Sequence, residues 1–269
     1  MNRVIVAAAV APLMREPNPR SEVVSQLIIG DTARIGERRG DWFALTRAID
    51  GYSGWSHRGY LREASDEDAE RWRSVALYLA DGAVLHNPDG ERFSLPLLAR
   101  VAPEGQGWEL PSGWRGTLVT GSILQAPEFE RRSRAERTID WVVGRFSGAP
   151  YLWGGVTPWG VDCSGLIQAA FAARGVLLPR DSADQARAGK AVSRDSIATG
   201  DLLFFSDNGD KITHVALAGE EDFIVHSTMA CGGFVVENWT AGHRAWKLRD
   251  QLVEVRRIAD SSTTDGEGS

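Results

Sequence analysis

The apolar residues of this chain change their period near residue 127, and that change constrains the fold class more than any other feature. Before it, apolar runs are short and closely punctuated. Val23-Val24, Leu27-Ile28-Ile29, Trp42-Phe43-Ala44-Leu45 and Gly54-Trp55 alternate with the turn signals Pro17-Asn18-Pro19, Gly30-Asp31, Arg39-Gly40-Asp41 and Asp50-Gly51. Such spacing predicts a small β-barrel over residues 1–62. Residues 63–71 are charged and read as a linker or a short surface helix. Residues 72–126 repeat the β pattern, with candidate strands around Val75–Leu79, Ala83–Leu85, Phe93–Leu95, Ala99–Val101 and Thr117–Val119. They predict a second, more diverged barrel of similar length.

Beyond residue 127 the period becomes helical. Pro127–Arg132 reads as a charged linker, and Ser133-Arg134-Ala135-Glu136 fits a capping box. Ile139, Val142, Val143 and Phe146 then recur at helical spacing, which predicts a helix over 134–147 stopped by Gly148 and Pro150. A second helix is expected to begin near Asp162-Cys163-Ser164, with Leu166, Ile167, Ala170 and Phe171 as its apolar stripe. Asp181 caps a short third helix through Ala188. Strands follow at Asp201–Phe205, His214–Ala218, Phe223–Thr228, Phe234–Asn238 and Leu252–Ile258. Helices followed by antiparallel strands make residues 133–258 an α+β domain. The tail, 259–269, is rich in Ser, Thr, Gly, Asp and Glu and is expected to be disordered.

Composition removes several classes of function. A net charge of −6 gives the chain no general attraction for nucleic acid or an anionic membrane. Two cysteines, Cys163 and Cys231, build no disulfide framework, and no C-x-x-C spacing points to zinc. No stretch approaches the roughly 18–20 apolar residues of a membrane-spanning helix. Val4–Ala11 after Arg3 loosely resembles a short leader, but Pro12, Arg15, Glu16 and Pro17 follow without a small-residue cleavage site. The segment reads as a strand, Val4-Ile5-Val6, and a cytoplasmic location is expected, with export as the alternative. No metal or cofactor is expected, and a monomer is favoured.

The residues that carry chemistry lie in the helical half. Cys163 sits where a loop rich in Gly and Trp (151–160) meets the start of an amphipathic helix. Unpaired backbone N–H groups and the positive end of the helix dipole there favour thiolate over thiol. The position suits a nucleophile, although a buried structural cysteine satisfies the same placement. His214 and His226 lie twelve residues apart on two strands expected to form a hairpin over Gly219–Asp222. Side chains alternate faces along a strand, so the rings meet only if the connecting loop holds an odd number of residues. An odd loop is predicted, with one histidine as base toward Cys163 and the other orienting it.

Together, Tyr151-Leu152-Trp153-Gly154-Gly155, Asp162-Cys163-Ser164-Gly165, Thr213-His214-Val215-Ala216 and His226-Ser227 resemble the NlpC family of bacterial cell-wall peptidases, over about residues 135–258. These are papain-like thiol hydrolases. The two N-terminal segments resemble bacterial SH3-like domains, the first through Arg15-Glu16-Pro17 and Tyr52-Ser53-Gly54-Trp55. The resemblance implies Cys163 as nucleophile, His214 as general base and His226 as the orienting residue. Tyr151 matches a tyrosine that helps stabilise the oxyanion. Asp162, Ser164 and Ser182 match positions lining the substrate subsite. Glu16 and Tyr52 match residues of the first barrel that recognise a free amino terminus.

The implied substrate is a murein stem peptide, L-Ala-γ-D-Glu-diamino acid, cut after D-Glu during recycling of wall peptides. A carboxylate paired with an α-ammonium discriminates strongly, because a substrate with an amide there leaves the charge unpaired. The alternatives are a secreted hydrolase acting on intact wall and an inert scaffold. Cys231 reads as a structural thiol. His243 reads as surface, and His57 and His86 have no evident partner. The Trp residues of 153–159 are expected to pack into the core. Asp207–Asp210 lacks the ligand pattern of a calcium loop.

Overall fold

The computed structural model describes residues 1–209 and 211–259. The chain forms two compact units, Met1–Phe129 and Glu130–Ser269. In the first, strands β1 (Arg3–Val6), β2 (Val10–Met14), β3 (Val23–Ile28), β4 (Thr32–Arg39), β5 (Trp42–Arg47), β6 (Ser53–His57) and β7 (Leu61–Ala64) form one antiparallel sheet. Their order is β3-β2-β6-β5-β4-β1-β7. Alternation along the strands turns Leu13, Phe43 and Leu45 inward onto Val4, Val6 and Leu27.

The charged stretch after it is a helix, α1 (Asp66–Val75). Ser65 caps it by accepting from the Asp68 N–H at 3.0 Å, and three acidic residues occupy the first turn. Its buried Trp72 donates through Nε1 to the Gly30 carbonyl at 2.9 Å and packs with Ile5, Ala69 and Ala102. The expected strand at Val75 therefore starts later. Strands β8 (Tyr78–His86), β9 (Arg92–Ser94), β10 (Arg100–Glu104), β11 (Gly107–Glu109) and β12 (Arg115–Gln125) run β10-β11-β12-β8-β9, and a β10–β8 pairing closes the ring. Ile29, from the turn before β4, is fully buried in this second core with Leu85, Val101 and Leu110. The Arg100 N–H donates to the Ile29 carbonyl at 3.0 Å. Two sheet-rich parts in one unit are consistent with a pair of SH3-like barrels.

Helix α2 (Ala126–Ala135), where a linker was expected, runs across the boundary at Phe129 into the second unit. Ser133 lies inside α2 and does not cap the helix that follows. Its Oγ accepts from Trp141 Nε1 at 3.1 Å, while Arg137, in extended conformation, takes the cap position of α3 (Thr138–Phe146). A short hairpin follows, β13 (Val156–Thr157) and β14 (Gly160–Val161), then α4 (Cys163–Ala172) and the four-residue α5 (Ser182–Gln185). α5 is shorter than the expected run to Ala188. Strands β15 (Lys190–Ala191), β16 (Leu202–Phe205), β17 (His214–Ala218), β18 (Phe223–Thr228), β19 (Gly233–Asn238) and β20 (Leu252–Arg257) form a sheet ordered β15-β20-β16-β17-β18-β19. Trp141, Phe146, Leu166 and Ile167 are fully buried beside it. Among the described residues, no helix is long and apolar enough to cross a membrane. The disorder expected of the tail from residue 260 concerns residues outside those described.

Candidate active site

The site is assembled around the start of α4. Gly165 lies so close to the preceding loop that a Cβ there would stand 2.0 Å from the Gly155 carbonyl oxygen. Asp162 caps α4: Oδ1 accepts from the Gly165 N–H at 2.7 Å and Oδ2 from the Gly154 N–H at 2.8 Å. One carboxylate thus ties the loop to the helix. Arg180 completes the arrangement, donating to Asp162 Oδ2 at 2.6 Å and to Ser164 Oγ at 2.7 Å. Gln185 of α5 donates to the Ser164 carbonyl at 3.0 Å. Asp162, Ser164, Arg180 and Gln185 are all buried.

This framework presents Cys163 as the first residue of α4, half-buried, with the backbone N–H groups of Ser164 and Val215 directed at its sulfur. The helix start was expected to favour thiolate. Burial, and after it the Asp162 carboxylate, outweigh those N–H groups and push the thiol up to about 11. At neutral pH the sulfur is therefore protonated, and attack requires a base to remove its proton.

β17 and β18 supply that base. They pair at Leu217↔Val225 and Ala218↔Ile224, which leaves five residues, 219–223, between the last paired positions, the fifth being the first residue of β18. The loop is odd, as predicted, and places both histidines on one face of the sheet. They are not directly opposite. The register sets Ala216 across from His226, so His214 lies two positions along the diagonal, within reach of aromatic side chains. Their rings stand 5.0 Å apart, and His214 Nε2 is 2.7 Å from His226 Nδ1. His226 is 1% exposed. Burial lowers both histidines, that of His214 down to about 3, so the pair is neutral at pH 7. A buried neutral imidazole, one residue before the Val215 N–H that meets the Cys163 sulfur, suits general-base activation of a nucleophile.

The same diagonal extends one strand further. β18 and β19 pair at His226↔Val235 and Ile224↔Glu237. Glu237 therefore shares the face of His226, and its Oε2 stands 2.9 Å from His226 Nε2. Arg244 binds both carboxylate oxygens, its Nε at 2.9 Å from Oε1. Glu237, Arg180 and Arg244 are missing from the sequence-based set. Carrying the parity argument across the next hairpin points to Glu237; no sequence signal pointed to the two arginines.

Tyr151, in the loop before the hairpin, is half-buried. Its own burial, followed by the charges of Cys163 and Asp162, raises its phenol well above the usual range, so it remains an O–H donor beside the thiol. Ser182 is the first residue of α5, partly exposed, two residues past Arg180. Asp162 and Ser164 are drawn together by Arg180. Glu16 and Tyr52 belong to the first unit. Glu16 is exposed just beyond β2 and Tyr52 half-buried just before β6, at one end of the strand pair registered at Met14↔Trp55.

The remaining candidates fall elsewhere. Cys231 is exposed in the turn before β19, hydrogen-bonded to Arg244. His243 is exposed, and His57 accepts from the Gly59 N–H at 3.1 Å. Trp153 and Trp159 are 55% and 49% exposed, against the expected core packing. Gly155 and Gly165 make close backbone contacts in that loop, and Gly160 packs against the Leu152 side chain. Among the described residues, no group of three or more His, Cys, Asp or Glu side chains is placed to hold a metal ion.

Comparison with known proteins agrees with this geometry. Residues 148–252 match the model of the NlpC/P60 family. The gamma-D-glutamyl-L-lysine dipeptidyl-peptidase of Bacillus subtilis (strain 168) is 29% identical over 218 residues, covering 76% of this chain and 72% of that protein. Dipeptidyl-peptidase 6 of Lysinibacillus sphaericus is 26% identical over 249 residues, covering 84% and 87%. An NlpC/P60 family protein from Bacillus cereus ATCC 10987 has the same fold, with a TM-score of 0.78 at 20% identity over 95% of this chain and 99% of that one. The resemblance read from the Cys163 and His214 segments holds: this chain carries an NlpC/P60 cysteine peptidase domain, papain-like in fold, behind a sheet-rich N-terminal unit.

Proposed function

We propose that the chain hydrolyses the γ-D-glutamyl bond to a diamino acid in murein stem peptides whose L-Ala carries a free amino terminus. The observation that carries the reaction is the hydrogen-bonded pair His214–His226, with the Cys163 sulfur accepting from the N–H of Val215, the residue after His214. The Cys163 sulfur attacks the γ-carbonyl of D-Glu as His214 takes the thiol proton. The Cys163 backbone N–H and the Tyr151 hydroxyl face the developing oxyanion. His214 then returns the proton to the leaving amine, and water hydrolyses the thioester. The products are L-Ala-D-Glu and the diamino acid or its peptide. Asp162, Ser164 and Ser182 border the subsite for the D-Glu residue.

The substrate class is supported by likeness to a gamma-D-glutamyl-L-lysine dipeptidyl-peptidase, which extends well beyond the peptidase domain. Glu16 would pair with the α-ammonium of L-Ala and Tyr52 would add a hydrogen bond. A stem still joined to muramic acid offers a neutral amide there and leaves Glu16 unpaired. This selectivity suits recycling of released peptides in the cytoplasm.

The test pairs L-Ala-γ-D-Glu-meso-diaminopimelate with its N-acetylated form, followed by mass spectrometry, with Cys163→Ala as blank. Cleavage of the free peptide alone is expected. Equal cleavage of both removes the role of Glu16 and Tyr52 and favours a hydrolase of intact wall. Cleavage of neither overturns the substrate assignment.

A further inference from the structure

We infer that Glu237, clamped by Arg244, is a positioning residue that fixes the tautomers of both histidines and so selects Nδ1 of His214 as the atom that takes the Cys163 proton. The inference rests on reading Cys163 and His214 as nucleophile and base. It follows from counting protons along two hydrogen bonds. Burial opposes the charge on Glu237, but its hydrogen bonds from Arg244 and His226 outweigh that and hold it ionised. An ionised carboxylate only accepts. The proton in the 2.9 Å contact therefore sits on His226 Nε2. Neutral His226 then has a bare Nδ1, which in the 2.7 Å contact must accept from His214 Nε2–H. The one ring nitrogen left bare on His214 is Nδ1.

Reversing either tautomer places a proton on the atom that has to receive one. When the S–H bond breaks, the N–H bond forms at His214 Nδ1, and the resulting imidazolium keeps its donation to His226. Glu237 stabilises that charge through the ring between them. Arg244 has two opposed effects. Its hydrogen bonds, to both carboxylate oxygens, keep the carboxylate aimed at His226. Its own positive charge disfavours protonation of both histidines. Among the described residues, the charged groups that act on the pair are Glu237 on β19 and Arg244 after it, while Asp162 and Arg180 act on Cys163. The other ring neighbour of His214 is apolar, Phe205 at 5.8 Å.

With five histidines in the chain, [15N]histidine labelling of the whole protein makes the tautomers directly readable by long-range 15N–1H correlation. Substrate is not needed, so an error in the peptide assignment leaves this result standing. The expected wild-type spectrum shows Nε2–H tautomers for His214 and His226. Glu237→Leu removes the acceptor, and both rings should become tautomer mixtures, with kcat falling by about 10²-fold. Glu237→Gln keeps an acceptor oxygen without the charge, so the protonation midpoint of the pair should move to lower pH. Arg244→Gln should move it to higher pH, each by about one unit. A side chain with a merely structural role gives no such opposed shifts. An Nδ1–H tautomer on wild-type His214, or unchanged tautomers in a folded Glu237→Leu protein, overturns the inference. Shifts of the same sign in the Gln variants overturn it as well.

Discussion

Replacing Arg180 by Met tests whether the start of α4 is held by the buried charge behind it. The guanidinium makes two charge-assisted hydrogen bonds, at 2.6 Å to Asp162 and 2.7 Å to Ser164. The side chains of Arg180 and Asp162 are 2% and 9% exposed. Bonds to charged groups contribute roughly 1.5–3 kcal/mol each, and breaking one side of a buried pair costs about 3–5 kcal/mol. Asp162 keeps the N–H groups of Gly154 and Gly165, so its charge is not abandoned altogether. The lower part of that range, about 3–4 kcal/mol, is therefore expected. Met fills most of the same volume, which keeps a cavity from confusing the result. Hydrogen exchange at the α4 amides under increasing urea reads the second unit separately from the first. Asp162→Asn combined with Arg180→Met should cost less than the two singles summed, by about 2 kcal/mol of coupling. A loss below about 1 kcal/mol in Arg180→Met, or additive losses, would refute the idea that this pair organises the helix start.

Four further outcomes follow from the same reasoning. Gly165→Ala should cost more than about 3 kcal/mol, since its Cβ meets the Gly155 carbonyl at 2.0 Å. Gly144→Ala, at an exposed position of α3 with nothing within 4 Å, should stabilise by about 0.5–1 kcal/mol; thermal melts of the two variants decide. His214 is lowered from 6.5 to about 3. Below 6.5 the unfolded chain takes up a proton that the folded one refuses, so stability is kept above 6.5 and lost as pH falls toward 3. Urea midpoints across that window should show the decline, and His214→Asn should flatten it. Trp72→Ala should destabilise the first unit by about 3–5 kcal/mol, read by exchange at its strand amides.

The sequence carried the strands of the second sheet well, because alternation and turn residues are local signals. β17 and β18 begin and end where the pattern of His214–Ala218 and Phe223–Thr228 placed them. The parity of the loop between them was legible too, while the two-residue offset of His214 from His226 was not. That offset depends on which residues of the two strands pair, and many side chains settle it together. The cap at Ser133 misled because the tetrad from Ser133 to Glu136 fits a local rule. Trp141 uses that hydroxyl for a contact eight residues away. The shift of Cys163 toward thiol was hidden for a similar reason. The helix start is written in the sequence next to Cys163, whereas the burial that overrides it comes from the surrounding fold. Arg180 gave no signal because its partner lies 18 residues upstream.

The two β-rings of the first unit are not interchangeable parts. Ile29 leaves the first to complete the interior of the second, Arg100 hydrogen-bonds back to its carbonyl, and Trp72 fastens the helix between them to Gly30. A recombination event that replaced either ring alone would expose apolar side chains of the other. Inheritance should therefore move the pair as a block. Insertions between the rings should likewise be rare, since the buried face of α1, Ala69 and Trp72, packs on Ile5 of the first ring and Ala102 of the second.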